Sequence, residues 1–272
     1  GDLTVACLDE NEFMVFGSGA AQEMHRRWFE SHLDKFNLSY SNRSDEYHGL
    51  SIAGPNSRKV LEKIVRDDVS NEKFKFRDSR RMFVGGVPAI INRISFTGEL
   101  GYEIYVAPHY QLKLYEELME AGKEFNIKPF GGRALMSMRL EKNWGAWTLD
   151  YRPDFTAKET GLDAFINWDK EFIGKESAQK ENSSNKLVPL IVETNEIDVT
   201  NNEAVLNGDQ SIGYVTSGGF AHFVNKSVAF TFVDQKNIKS ENKIQVEING
   251  DLFNCSIIKE PLYDPSGQKM RS

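Results

Sequence analysis

Two cysteines in 272 residues leave little for covalent or metal-based stabilisation. Cys7 and Cys255 stand far apart in apolar, strand-like contexts, and no CxxC occurs. That argues against a disulfide framework and against a thiolate zinc site, and it fits a reducing compartment, with the cytoplasm as the expected location. Positive charge is also in short supply: 33 Lys and Arg stand against 40 Asp and Glu, for a net charge of -7. Without a dominant basic face to neutralise phosphates, neither nucleic acid nor a membrane is an expected partner. The densest basic cluster, Arg77, Arg80 and Arg81, is broken by Asp78. No apolar run approaches the roughly 20 residues of a spanning helix, and the amino terminus does not read as a signal peptide. GxSxG, HExxH and Walker patterns are missing. Phe16-Gly17-Ser18-Gly19-Ala20 follows a strand and precedes a helix, but Gln22 occupies the third glycine position of a dinucleotide loop and no ribose-binding acid follows, so a Rossmann site is not expected. His25 and His32, seven apart on one helical stretch, have no partner at ligand spacing and read as surface histidines.

What is present is a regular alternation of elements. Asp2–Leu8 and Phe13–Phe16 read as two strands about an Asp9–Glu12 turn, so the chain opens in mid-hairpin, as if cut from something longer. Ala20–Phe36 carries Met24, Trp28, Phe29 and Leu33 at helical spacing. A short strand at Leu50–Ala53 is followed by Gly54-Pro55-Asn56 and a helix whose stripe is Val60, Leu61 and Ile64. Residues 80–107 form a β-rich block with turns at Gly85-Gly86 and Thr97-Gly98-Glu99, and Tyr110–Ala121 and Gly132–Lys142 read as helices. The polar stretch Lys180–Lys186 marks a boundary between an α+β region, residues 1–180, and a strand-rich region, residues 187–272. In the latter, Leu187–Val192, Glu203–Leu206, Ser211–Thr216, Ser227–Val233, Lys243–Ile248 and Leu252–Ile258 predict six strands, with Asn207-Gly208 and Asn249-Gly250 as hairpin turns. Six short strands of this kind imply a small antiparallel barrel or sandwich.

Chemistry concentrates in Arg93–Pro108, RISFTGELGYEIYVAP. Glu103 lies between Tyr102 and Ile104 in an apolar strand, where an ionised carboxylate is costly unless paired. Either it faces solvent on an edge strand, or it forms part of a pocket for a polar, ring-bearing ligand. Arg133, at the start of the amphipathic GGRALMSMRLEK helix, supplies a positive group to set beside it.

Taken together, GDLTVACL, ISFTGELGYEIYVAP, RALMSMRLEKNWGAW, GLDAFINWDKEFIGKESA, IGYVTSGGFAHFVNKSVAF and EPLYDPSGQKMR resemble, in order and approximate spacing over essentially the whole chain, the aminomethyltransferase family. This is the glycine-cleavage T-protein family, which also supplies the folate-binding half of dimethylglycine and sarcosine dehydrogenases; the GDLTVA opening and the PLYDPxGxxxR ending are closer to the dehydrogenase branch. The resemblance implies an α+β, multi-domain cloverleaf around tetrahydrofolate, with the C-terminal antiparallel β-barrel as its last domain. It implies a folate-binding core over residues 1–180 and the barrel over residues 187–272.

Site residues follow from the same resemblance. Glu103 matches the glutamate that holds the pterin, and a carboxylate can accept two parallel hydrogen bonds from N3–H and the 2-amino group. Arg133 matches an arginine that contacts folate or substrate; its fork suits the carboxylates of the p-aminobenzoyl-glutamate tail. Asp2 matches the aspartate credited with the chemistry, where it would orient N10 or stabilise developing positive charge; as a plain terminal residue it would simply fray. Phe96 stands where many members have tyrosine, keeping an aromatic wall without the hydroxyl. Tyr263 is expected to close the pocket from the carboxy-terminal side. Arg139 and Glu141 read as structural ion pairs, and Trp147 as core.

Thr148 and Asn225 depart from the family by replacing glycines. The segment that precedes the first strand in the family is also absent, so a chain starting at Gly1 is expected to have an incomplete first domain. No FAD-binding motif occurs, so FAD is expected only with a separate upstream domain. The implied function is capture of a one-carbon group from a glycine derivative as 5,10-methylenetetrahydrofolate. The donor would be a methylated amine oxidised by a flavin domain or, in a free aminomethyltransferase, an aminomethyl group on a lipoyl carrier protein. An accessory or remnant folate-binding domain without turnover is the alternative; iron–sulfur-assembly relatives carry KGCYxGQE, against EFIGKESAQK here.

Overall fold

A computed structural model of the chain describes residues 1–194, 196–238 and 244–272. Packing divides it into two compact units, residues 1–131 with 266–272, and residues 132–265.

The first unit opens with the hairpin β1 (Thr4–Asp9) and β2 (Glu12–Phe16). Helix α1 (Gln22–Glu30) is shorter than the stretch from Ala20 to Phe36 that the apolar spacing suggested: the chain turns at Ser31 and His32 and adds one 3-10 turn, Leu33–Lys35. It also buries a different face. Met24 and Trp28 are exposed, whereas His25 is buried, correcting its reading as a surface histidine; His32 is half-buried. Gly17 makes this possible, because a Cβ there would meet Leu3 Cδ2 at 2.7 Å and His25 Nδ1 at 3.3 Å.

Next come β3 (His48–Ala53), α2 (Ser57–Glu62), β4 (Ser79–Val84), β5 (Val87–Asn92), β6 (Gly101–Val106) and α3 (Gln111–Gly122). The four strands form one antiparallel sheet in the order β3-β6-β5-β4. Strict alternation along β6 sends Tyr102, Ile104 and Val106 into a core shared with Val60 and Leu61 of α2 and Leu114 and Leu118 of α3. Glu103 and Tyr105 therefore occupy the opposite face. Because β6 is an inner strand, the edge-strand reading of Glu103 is corrected. A final turn of helix, Gln268–Arg271, belongs to this unit, where Arg58 and Arg93 donate to the oxygen of Ser272, each at 2.7 Å.

The second unit contains α4 (Gly132–Glu141), the short α5 (Lys175–Lys180) and six strands: β7 (Asn185–Val192), β8 (Ala204–Asn207), β9 (Gln210–Ala221), β10 (Lys226–Asp234), β11 (Ile244–Ile248) and β12 (Asp251–Ile257). They close into an antiparallel barrel in the order β10-β7-β12-β11-β8-β9, which decides between barrel and sandwich. Lys243, expected at the start of the fifth strand, lies outside the described residues. Asn249 and Gly250 both take positive φ (54° and 92°), as a two-residue turn between Ile248 and Asp251 requires. The first barrel strand begins within the polar stretch Lys180–Lys186, at Asn185, but α4, well before it in sequence, packs with the barrel. Leu140 of α4 joins Ala221, Val228 and Phe230, and Ser137 Oγ donates to Phe220 O at 2.5 Å.

Two of the unusual residues now have a backbone reason. Thr148 has φ 72° and Asn225 φ 54°, both in the left-handed region that glycine enters freely. Asparagine tolerates it well; a β-branched threonine is strained there. Among the described residues, no helix is long and apolar enough to cross a membrane.

Candidate functional site

The face of the four-stranded sheet opposite its apolar core carries a polar row, partly buried around Asn92 and Glu103. Register aligns Ser51 on β3 with Glu103 on β6, Glu103 with Asn92 on β5, and Asn92 with Ser79 on β4. Directly paired residues point to the same side, with Cβ atoms about 4.5–5.5 Å apart. One rung of the sheet thus reads Ser-Glu-Asn-Ser, whereas the face beneath sends Ile52, Ile91, Ile104 and Val106 into the apolar core. The next rung on this face contains Gly49, Tyr105, Ile90 and Arg81.

Tyr105 Oη donates to Glu103 Oε2 at 2.6 Å, the only hydrogen bond to that carboxylate among the described residues. Burial, with the neighbouring charge and hydrogen bond of Glu103, pushes the Tyr105 hydroxyl far above its ordinary pKa, so it stays protonated and remains a donor. The ring is fixed from two sides. Phe16 of β2 packs on it with centroids 4.3 Å apart, and Gly49 leaves room beneath, since a Cβ there would lie 2.9 Å from Tyr105 Cε1. Asn92 is 2% exposed; its Oδ1 accepts from Ser79 Oγ at 2.6 Å, but its Nδ2 has no hydrogen-bond partner among the described residues.

Tyr105 also lines a cavity of about 440 Å³ in this unit, together with Leu3, Phe16, the Gly17-Ser18-Gly19 loop, His25 and the Ser39–Ser44 stretch. The glycine loop that fails as a dinucleotide motif is therefore a wall of a pocket. Asp2 immediately precedes Leu3; desolvation around its carboxyl raises its pKa, against the lowering pull of the amino-terminal charge. Burial and the same charge lower the pKa of His25. Phe96 is half-buried in the β5–β6 connection. Gly98 N donates there to Ser95 Oγ at 3.0 Å and Glu99 N to Thr97 Oγ1 at 3.2 Å, pinning the turn.

Arg133 and Tyr263 belong to the second unit. Arg133 is exposed in the first turn of α4 and makes no hydrogen bond or ion pair among the described residues. Tyr263 is buried, edge-on to Phe223 with centroids 4.7 Å apart, and its backbone N donates to Glu141 O at 3.0 Å. Glu141 Oε1 in turn accepts from Phe223 N at 2.6 Å. Arg139 is buried, donating to Asp150 Oδ2 at 2.8 Å and to Ser217 Oγ at 2.7 Å. Asp150 accepts further bonds from Thr216, Ser217 and the backbone of Ala146. Trp147 is half-buried. Sequence reading singled out Glu103 but passed over Tyr105, although the period of two placed both on one face. It also passed over Asn92, whose role rests on strand register.

A mixed α/β sheet unit joined in sequence to a closed six-strand barrel is the T-protein architecture. Residues 1–170 match the family model described as the GCVT N-terminal domain, and residues 185–264 match the glycine cleavage T-protein C-terminal barrel domain. The chain belongs to the glycine cleavage T-protein family, a folate-binding family. It is 34% identical over 269 residues to mitochondrial dimethylglycine dehydrogenase of Homo sapiens, covering 96% of this chain but only 31% of that one. It is 31% identical over 270 residues to the aminomethyltransferase of Bacillus mycoides, covering 97% of this chain and 73% of that one. The crystal structure of aminomethyltransferase T from Bartonella henselae superposes with a TM-score of 0.82 at 22% identity, over 97% of this chain and 72% of that chain, a likeness of fold.

Proposed function

We propose that this chain is the tetrahydrofolate-binding module of a one-carbon transferase, with Glu103 as the anchor of the pterin. The observation that carries this is the hydrogen bonding of Glu103: a carboxylate on an inner strand, held by one phenol and left with acceptor capacity, beside an amide nitrogen with no partner. A pterin edge offers two adjacent donors, N3–H and the 2-amino group, which a carboxylate accepts side by side. Those residues fit the group. When bound, tetrahydrofolate supplies the pair of nitrogens that receives the one-carbon unit.

The roles of the chain's own residues follow. Tyr105 fixes the Glu103 carboxylate by donating to one oxygen. To Asp2, whose carboxyl pKa is raised, we assign holding or releasing a proton at the reacting nitrogens and offsetting positive charge there, a role that rests on the family resemblance. Phe96 walls the pterin; Tyr263 and Arg133, whose fork suits the carboxylates of the glutamate tail, enter this proposal on the family resemblance alone.

The donor we favour is a methylated glycine derivative oxidised by a flavin domain of a dimethylglycine or sarcosine dehydrogenase-like protein. The 34% identity to human dimethylglycine dehydrogenase supports this branch. A free aminomethyltransferase, served by a lipoyl carrier protein, is favoured instead by the larger share, 73%, that the chain covers of the Bacillus mycoides relative. Titration calorimetry with tetrahydrofolate tests the common reading: wild type binds, and Glu103→Ala binds at least about 30-fold more weakly, as loss of charge-assisted bonds requires. Equal binding by both proteins would refute it.

A further inference from the structure

We propose that Asn92 is a second pterin-reading residue, donating from Nδ2 to the 4-oxo group and so selecting a 4-oxopteridine. This rests on Glu103 being the anchor. Along a pterin edge the 2-amino group and N3–H are donors and O4, next to N3, is an acceptor. Recognition of the whole edge therefore needs two acceptor positions followed by a donor. Glu103 provides the acceptors. Asn92, paired with Glu103 in the β5–β6 register, is the neighbouring side chain across the sheet and carries an amide donor.

Three observations set the orientation of that amide. Ser79 on β4, on the far side of Asn92 from Glu103, donates to Oδ1 at 2.6 Å, which turns the oxygen away from β6. The opposite flip would bring a carbonyl oxygen toward the Glu103 carboxylate, a repulsive arrangement. Asn92 is 2% exposed while Nδ2 lacks a partner among the described residues, and a buried donor left without one costs about 1–3 kcal/mol. A ligand carbonyl arriving beside Glu103 satisfies it. Ser79 and Asn92 thus form a relay in which the β4 hydroxyl sets the amide and the amide reads the ligand.

The test compares two ligands on the whole chain by calorimetry under anaerobic conditions: tetrahydrofolate and its 4-thioxo analogue. The analogue keeps N3–H and the 2-amino group but offers sulphur, a weak acceptor, in place of O4. Wild type is expected to prefer the oxo ligand by about five- to tenfold. Asn92→Leu should lose that preference by weakening tetrahydrofolate alone, and Asn92→Ala gives the same readout without added bulk should the leucine variant fail to fold. An unchanged preference in the variants, or equal weakening of both ligands, overturns the proposal. Failure of wild type to bind tetrahydrofolate would instead refute the Glu103 reading. Binding lost in Glu103→Ala but unaltered in ratio in Asn92→Ala would leave Glu103 standing and remove Asn92.

Discussion

The two units each bury a polar cluster, and the clusters differ in how completely they are satisfied. In the barrel unit, Asp150 accepts from Arg139, Thr216, Ser217 and the backbone of Ala146, while Arg139 also donates to Trp144 O at 3.0 Å and lies over the Phe230 ring. Only Arg139 Nε stays without an acceptor among these groups. In the sheet unit, the Ser51-Glu103-Asn92-Ser79 row leaves one carboxylate with a single donor and the Asn92 Nδ2 without an acceptor among the described residues. A closed network needs nothing more and holds the fold. An open row, kept in a protein where unpaired groups are costly, is a place where a ligand completes the bonding.

The largest effect that would break this contrast belongs to the closed network. Asp150→Ala leaves the Arg139 guanidinium buried without its counter-charge, and the expected cost is about 3–5 kcal/mol. Burial already lowers the pKa of Arg139, with Asp150 partly offsetting it, so removal of the aspartate worsens the same imbalance. Chemical denaturation followed through barrel signals measures this. A cost below about 1 kcal/mol would mean that the network is not what stabilises the unit.

Much of this division was legible before any coordinates. Period-two alternation in GYEIYV predicted a strand with a carboxylate against its grain, and six short strands predicted a barrel or a sandwich, although the β8–β9 hairpin turns at Gly208-Asp209 rather than Asn207-Gly208. Arg139 read as structural, and it is. What sequence patterning could not supply was pairing. Asn92 gains meaning only from its place opposite Glu103, and Asp150 only from a fold that brings residues 139, 150, 216 and 217 together. The helix over α1 misled for a related reason: Met24 and Trp28 are apolar enough to suggest a core face, but the cavity wall at Gly17 and Leu3 recruits His25 instead. Thr148 and Asn225 were visible as departures from a family pattern, and their positive φ values show why glycine suits those positions.

A smaller effect sharpens the open side of the comparison. Tyr105→Phe removes the one donor to Glu103 and should cost about 1 kcal/mol, with folate binding weakened about fivefold as the carboxylate loses its orientation. The variant also has a pH signature. The folded-state pKa of Tyr105 is raised above the ordinary value of 10.0, so its contribution is complete below that pH. Above it the unfolded chain sheds the proton first, and stability falls as pH rises toward the folded-state value. Wild type should therefore lose stability relative to Tyr105→Phe as pH rises above about 10. Parallel denaturation curves for the two proteins across that range would show that the phenol is not held by burial and Glu103.

The smallest expected change in stability is the most informative about the row. Glu103→Gln keeps a carbonyl to accept from Tyr105 and removes a charge that no ion pair among the described residues neutralises. Unfolding free energy should shift by no more than about 0.5 kcal/mol, the range of substitutions that break no named interaction. Binding should not be spared: glutamine replaces one acceptor with an NH₂ that opposes a donor on the pterin edge. Stability and affinity are thus expected to separate at Glu103 and to fall together at Asp150. If Glu103→Gln instead unfolds as readily as Asp150→Ala while retaining affinity for tetrahydrofolate, the polar row is part of the scaffold, and the openness of its bonding has another explanation.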